Sequence, residues 1–169
     1  MHEPDDVVQP PPQRLLLTTR KEYRDAFERL IRLAQRELRI FDADCSDLEI
    51  DSPRSYELLR ALLLRARNSR VYIAVHDSGH IRNNCPRLLN LLRQFSDRMF
   101  IHQTGGEAAR AQDSLVLADK LHFVRRPVQA QPRAVLTLYD EAECHGMHLR
   151  FSEIWDNSYT AVVATTSGL

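Results

Sequence analysis

Gln112-Asp113-Ser114-Leu115-Val116-Leu117-Ala118-Asp119-Lys120-Leu121-His122-Phe123-Val124-Arg125-Arg126 is the stretch on which the reading of this chain turns. An apolar run reaches Ala118, a polar pair interrupts it, and a second run closes on two arginines. That pattern predicts a β-hairpin with a tight turn at Asp119-Lys120. Gly105 to Gln112, just before it, reads as a flexible or weakly helical connection. After it, Pro127 to Pro132 reads as a loop and Ala134 to Tyr139 as a further strand. Asp140-Glu141-Ala142-Glu143 then matches a helix start with an acidic residue three positions on. Met147, Phe151, Ile154 and Trp155 give that last helix one apolar stripe. Thr160 to Leu169 is β-prone, with no assigned place.

Upstream, Thr19-Arg20-Lys21-Glu22 matches a capping box, and Tyr23, Phe27, Leu30, Ile31 and Ala34 form one helical stripe. Leu15-Leu16-Leu17 before it reads as an edge strand. Leu38 to Asp42 reads as a strand ending in a carboxylate, and Ala43 to Asp51 as a polar loop holding Asp44, Cys45, Asp47 and Glu49. Ser52-Pro53 starts a second helix, with Leu59, Leu62, Leu63 and Ala66 on its buried face. Arg65, Arg67 and Arg70 stand near its end, where cations suit the helix dipole. Val71 to Asp77 reads as a strand covered on both faces. A helix capped by Asn83 or Asn84 follows, with Pro86 in its first turn, and then a short strand at Met99 to His102. Strands alternating with helices, then a hairpin, predict an α/β fold: a mixed sheet flanked by helices.

The hairpin stretch resembles the signature region of the phospholipase D superfamily, in which His-x-Lys-x4-Asp leads into such a hairpin. Two other features share the resemblance: the helix–alanine–strand passage ending near Asp42, and Phe-x-x-x-Trp-x-x-Ser at Phe151, Trp155 and Ser158. The implied fold is a single phospholipase D-like half over roughly Leu15 to Ser158. Aligned on Asp119, Gln112 stands where the family has its nucleophilic histidine and Ser114 where it has its lysine. Arg125-Arg126-Pro127 stands in the region of the family's downstream Gly-Ser-x-Asn. The family's reaction, as the resemblance implies it, joins an attacking imidazole to a protonating one and holds the phosphate with lysine. Glutamine cannot form the covalent intermediate, and serine cannot supply the lysine's charge. The expected role is a non-catalytic binding, regulatory or dimerisation module, accessory to a bacterial enzyme. Family halves pair across their active faces, so a homodimer or a partner domain is expected, by a two-fold contact in the homodimer. The alternative is an enzyme acting on a phosphorylated or nucleotide substrate through a rearranged His/Asp site.

In open α/β sheets, ligands bind beyond the carboxyl ends of the strands. That rule gathers Asp42, Asp44, His76, Asp77 and His80 into a candidate ligand-binding rim, and the hairpin adds Asp119, His122 and Arg125. A small phosphorylated ligand is the expected guest. His76 and Asp77 are equally readable as a strand end and turn cap. Arg125, Arg126 and Arg133 read first as a solvated hairpin end and second as an anion site. Cys144-His145-x-x-His148 shows no second ligand cluster, so no metal and no cofactor is expected.

Composition sets the remaining bounds. A chain of 169 residues is one domain by size, and residues 14–169 are assigned to it. Residues 1–13, polar and carrying Pro10-Pro11-Pro12, are expected to be a disordered tail. Formal net charge is zero, which gives no global case for nucleic acid or an anionic membrane. Cys45, Cys85 and Cys144 are far apart and lack Cys-x-x-Cys, as fits reduced thiols. With no signal peptide and no apolar run near the roughly 20 residues of a membrane span, a soluble cytoplasmic protein is expected.

Overall fold

The structure, a computed structural model, describes residues 8–164. Of the tail expected over residues 1–13, residues 1–7 lie outside that range, and Gln13 already belongs to the first strand. Among the described residues, eight strands form one mixed sheet and five α-helices accompany it.

The chain runs β1 (Gln13–Leu17), α1 (Arg20–Leu33), β2 (Glu37–Asp42), α2 (Pro53–Arg65), β3 (Arg70–Val75), α3 (Gly79–Asn84), α4 (Pro86–Gln94) and β4 (Met99–Thr104). A single 3-10 turn, Gly106–Arg110, leads into the hairpin strands β5 (Ser114–Ala118) and β6 (His122–Arg126). β7 (Ala134–Leu138), α5 (Glu141–Asp156) and β8 (Ser158–Val162) complete it. The strand order is β1-β7-β6-β5-β2-β3-β4-β8. β2, β3 and β4 are parallel; every other pairing is antiparallel.

Strand alternation divides the core into two. Leu38, Ile40, Val71, Ile73, Ile101, Val116 and Val124 pack with α1, α2 and α4. Phe41, Ala74, Leu115, Leu117 and Phe123 pack with α5 through Cys144, Phe151 and Ile154. Four helices contribute to the first face, α3 through Ile81 alone, and one covers the second. On the α5 face Tyr72 and Phe100 stay partly exposed. The predicted caps form at Thr19, Ser52 and Asp140, whose side chains accept backbone N–H groups of Glu22, Ser55 and Glu143.

Several expectations need correcting. β3 ends at Val75, so His76 and Asp77 lie in the loop beyond it. Neither Asn83 nor Asn84 caps α4: both belong to the separate helix α3. The α4 N-terminus is served from a distance by Asp51, whose carboxylate accepts the Leu88 N–H at 2.8 Å. Arg65 stands in the last turn of α2 as expected, but its guanidinium also donates to the carbonyls of Ile31 and Ala34 at the end of α1. Arg70 begins β3. The C-terminal segment finds a place as the edge strand β8; residues 165–169 lie outside the described range.

The largest correction concerns the hairpin turn. It spans Asp119 to Leu121, three residues, so Ala118 pairs with His122 and Ser114 with Arg126. A two-residue turn would have set Arg125 opposite Ser114. Because side chains alternate, this one-residue difference decides which arginine points at α1.

Candidate functional site

β2 and β3 run to one rim of the sheet, and β5 starts there because it is antiparallel to β2. The rim therefore holds Asp42, Asp44, His76, Asp77 and His80 together with Gln112, Ser114 and Arg126. Asp119 and His122 lie at the opposite end. The register sets Ala118 beside Leu38, at the start of β2, so the hairpin turn points away from Asp42. Their place in the candidate rim is corrected accordingly.

Asp119 has a structural task there. Its carboxylate accepts the backbone N–H groups of Gln35, Arg36 and Glu37 at 2.8, 2.9 and 3.0 Å. It thus ties the hairpin turn to the entry of β2. Its own φ of +54° is one that Asp tolerates better than most residues. His122 is buried, and its Nδ1 accepts the Tyr139 N–H at 3.0 Å. Burial pushes its imidazole pKa down.

At the rim, Ser114 is wholly buried. Its hydroxyl donates to Asp42 at 2.5 Å. The other Asp42 oxygen accepts the Cys45 N–H at 2.8 Å, at a residue held in the left-handed region (φ +68°). Arg126, expected in solvent, is 1% exposed. Its terminal nitrogens donate to Asp47 at 3.1 Å and to Asp42 at 3.5 Å. Its guanidinium carbon stands 4.5 Å from the centre of the Tyr23 ring. Two carboxylates and an aromatic face thus surround one cation, whose buried Nε has no hydrogen-bond partner. Burial and the Asp42 charge push the Tyr23 phenol far above its ordinary range. A guanidinium so enclosed has no face left for a phosphate. Asp47, which the sequence left among loop residues, is its closest acidic partner.

His76 is the histidine nearest this network along the rim. Its Nε2 lies 2.6 Å from the Ala111 carbonyl and its Nδ1 2.5 Å from the Thr104 hydroxyl. A carbonyl only accepts, so Nε2 carries the proton and Nδ1 accepts from Thr104. Both nitrogens are thereby committed, and the ring meets Phe41 edge-on at 5.3 Å. Asp77 accepts the Gly79 N–H at 2.8 Å, and Asp44 accepts the Ser46 N–H at 2.9 Å, both as turn caps. His80 lies 3.5 Å from the Asn84 amide.

On the other face, one residue along each hairpin strand, lies a second charge cluster. Asp113, 2% exposed, receives Arg150 of α5 at 2.7 Å and Arg125 at 3.3 Å. Burial pushes its carboxyl up, but the hydrogen bond and charge of Arg150, with the charge of Arg125, outweigh this and hold it below the usual range. The sequence reading named Arg125 but neither partner. Period-2 alternation from Leu115 and Leu117 was the available signal for Asp113; Arg150 had none, since its contact is tertiary.

Burial disfavours the thiolate form of Cys45, Cys85 and Cys144. Burial drives the thiols up, Cys85 to about 11 and Cys144 to about 12, with Cys45 well above the ordinary value. Cys144 turns its sulfur to the His122 carbonyl, and His148 gives Nε2 to the Asp119 carbonyl at 2.6 Å. No cluster of three metal-ligating side chains occurs among the described residues. No described helix is long and apolar enough to cross a membrane.

This sheet order, with its hairpin beside the first parallel strand and its long C-terminal helix on the second face, defines a phospholipase D-like half. The profile of the DUF7931 family, a domain of unknown function, matches residues 19–163, and the chain belongs to that family. Solved structures share the fold at low identity. Nuc from Salmonella typhimurium, a phospholipase D family member, is 10% identical over 89% of this chain and 99% of its own, with a TM-score of 0.64. NucT from Helicobacter pylori is 12% identical over 89% of this chain and all of its own, with a TM-score of 0.59. TrmBL2, an archaeal chromatin protein, is 9% identical over 93% of this chain, with a TM-score of 0.68; the match spans 57% of its length. A search of curated proteins finds no sequence match.

Proposed function

We propose that this chain is a non-catalytic phospholipase D-like domain that binds or regulates, and that it works as a pair, with a second copy or a partner domain. The observation that carries the reading is the enclosure of Ser114 and Arg126 with Asp42 and Asp47 at the place of the family's phosphate-gripping lysine. A buried cation neutralised by two carboxylates is a structural ion pair. Gln112 beside it brings no nucleophile. A rearranged His/Asp enzyme is disfavoured by the same geometry, since His76 has both nitrogens committed and His122 lies at the other end of the sheet.

The test is a phosphodiesterase assay with bis(p-nitrophenyl) phosphate. No turnover above buffer is expected, and none from Gln112→His with Ser114→Lys, because the buried network leaves the new lysine no open side. Turnover by the unaltered chain that His76→Ala abolishes would sink the reading. Light scattering on a sizing column, with a dimer expected at micromolar concentration, tests the pairing separately.

A nucleic-acid role is the competing reading, prompted by the chromatin protein that shares the fold. Zero net charge stands against it. A salt-sensitive mobility shift with duplex DNA would favour it.

A further inference from the structure

We propose that the α5 face of β1, β7 and β6 carries a binding site for a phosphate monoester with a small apolar or aromatic group. This rests on the reading that the domain binds rather than cleaves. It places the ligand on the face opposite the Asp42 network.

The cleft has a volume of about 210 Å³ and lies between α5 and the exposed sheet. Its apolar surface comes from Phe123, Val135, Pro127 and Met147; Arg14, Arg125, Thr137 and Glu143 supply its polar groups. The register explains the arrangement. Arg14 pairs with Thr137, which pairs with Phe123, so these three form one row across the strands. Leu16 pairs with Val135, which pairs with Arg125, making the next row on the same face. Arg14 and Arg125 therefore stand on a diagonal, two strands and two residues apart. Strand spacing makes that about 12 Å between Cα atoms, close enough for two arginine side chains to meet over the floor.

The two cations differ usefully. Arg125 is anchored: its Nε donates to the buried Asp113, while its terminal nitrogens have no protein partner among the described residues. Arg14 is exposed and has no ion-pair partner among them. An anchored fork loses little freedom on gripping a phosphate, and a free arginine can fold over it. The Thr137 hydroxyl lies in the row between Arg14 and Phe123. Two guanidiniums match a phosphate monoester, which carries up to two charges near neutral pH, better than a carboxylate with one. Glu143, at the third position of α5, opposes them and leaves the lining at net +1. The volume is below the usual range for drug-sized ligands, about 300–1,000 Å³, so the apolar part is limited to roughly one ring.

The probe is phenyl phosphate, titrated into the full chain and followed by amide NMR and by ³¹P NMR. The amides of Arg14, Phe123, Arg125, Val135 and Thr137 are expected to shift together. Arg14→Ala and Arg125→Ala should each weaken binding about fivefold, and Glu143→Gln should tighten it. Inorganic phosphate and benzoate should both bind more weakly, the first lacking the ring and the second a charge. Arg14 is an exposed edge residue, so its variant reads binding without risk to the fold. Shifts absent from the cleft, shifts centred on Asp42 and His76, or equal affinity for the Arg14 variant would each overturn the site. Binding in the cleft with release of free phosphate would uphold the site and overturn the non-catalytic reading. No binding, with no hydrolysis, would overturn the site alone.

Discussion

Arg125 and Arg126 are neighbours in sequence and opposites in circumstance. Arg126 points at α1 and is sealed among Asp42, Asp47, Ser114 and Tyr23. Arg125 points past α5, shares Asp113 with Arg150, and keeps 38% of its side chain exposed. Strand alternation alone separates them. The sealed cation holds the rim together; the half-open one keeps donors to offer. Arg126 spends both terminal nitrogens on carboxylates and keeps only a buried, unpartnered Nε, whereas the terminal nitrogens of Arg125 have no partner among the described residues.

The largest effect should come from breaking the sealed side. Arg126→Ala leaves Asp42 buried with one ionic partner fewer, and such losses cost about 3–5 kcal/mol. Urea unfolding should show a much lower midpoint at unchanged slope. A midpoint within error of the parent would mean that the pairing contributes nothing. Arg150→Ala should cost less, about 1–2 kcal/mol, since Arg125 still faces Asp113. If both variants cost the same, the contrast between the faces is lost.

Acid sharpens the comparison. The Asp113 pKa is lowered in the fold, so its contribution is complete above the unfolded carboxylate value, about 3.9, and is lost as pH falls through the folded value. The histidines His102, His122 and His148 have lowered values, mainly through burial. Charging them costs stability as pH falls below about 6.5, where they titrate in the unfolded chain. Thermal melts from pH 7 downward should therefore lose stability in two stages, histidines first. Arg150→Ala should raise the folded Asp113 value toward the unfolded one and so shrink the second stage; an undiminished second stage would deny Arg150 its hold on Asp113. The smallest stability change belongs to Arg125→Ala, below about 1 kcal/mol, as for other half-exposed pairs. A larger loss would make Arg125 structural and weaken its claim to a ligand.

Local rules made much of the fold legible. The caps at Thr19, Ser52 and Asp140, the parallel strands and the hairpin all followed from periodicity and turn chemistry. The strand-end positions of Asp42 and His76 were legible, because the first closes an apolar strand and the second follows one. Asp119 and His122 were not. Their position depends on β5 running antiparallel beside β2, and nothing local states a strand's neighbour. The cap of α4 failed for a similar reason, since Asp51 reaches across from another element, and no local signal announced that Arg65 would reach the end of α1.

By itself the sequence determined an α/β chain and its hairpin. Those are properties of residue identity and short-range spacing. Only the tertiary structure decided that Arg126 is buried and Arg125 is not. One residue of turn length inverts the facing of every side chain on β6, and that turn is tied down by the clamp from Asp119 onto the backbone of Gln35 to Glu37, some eighty positions away.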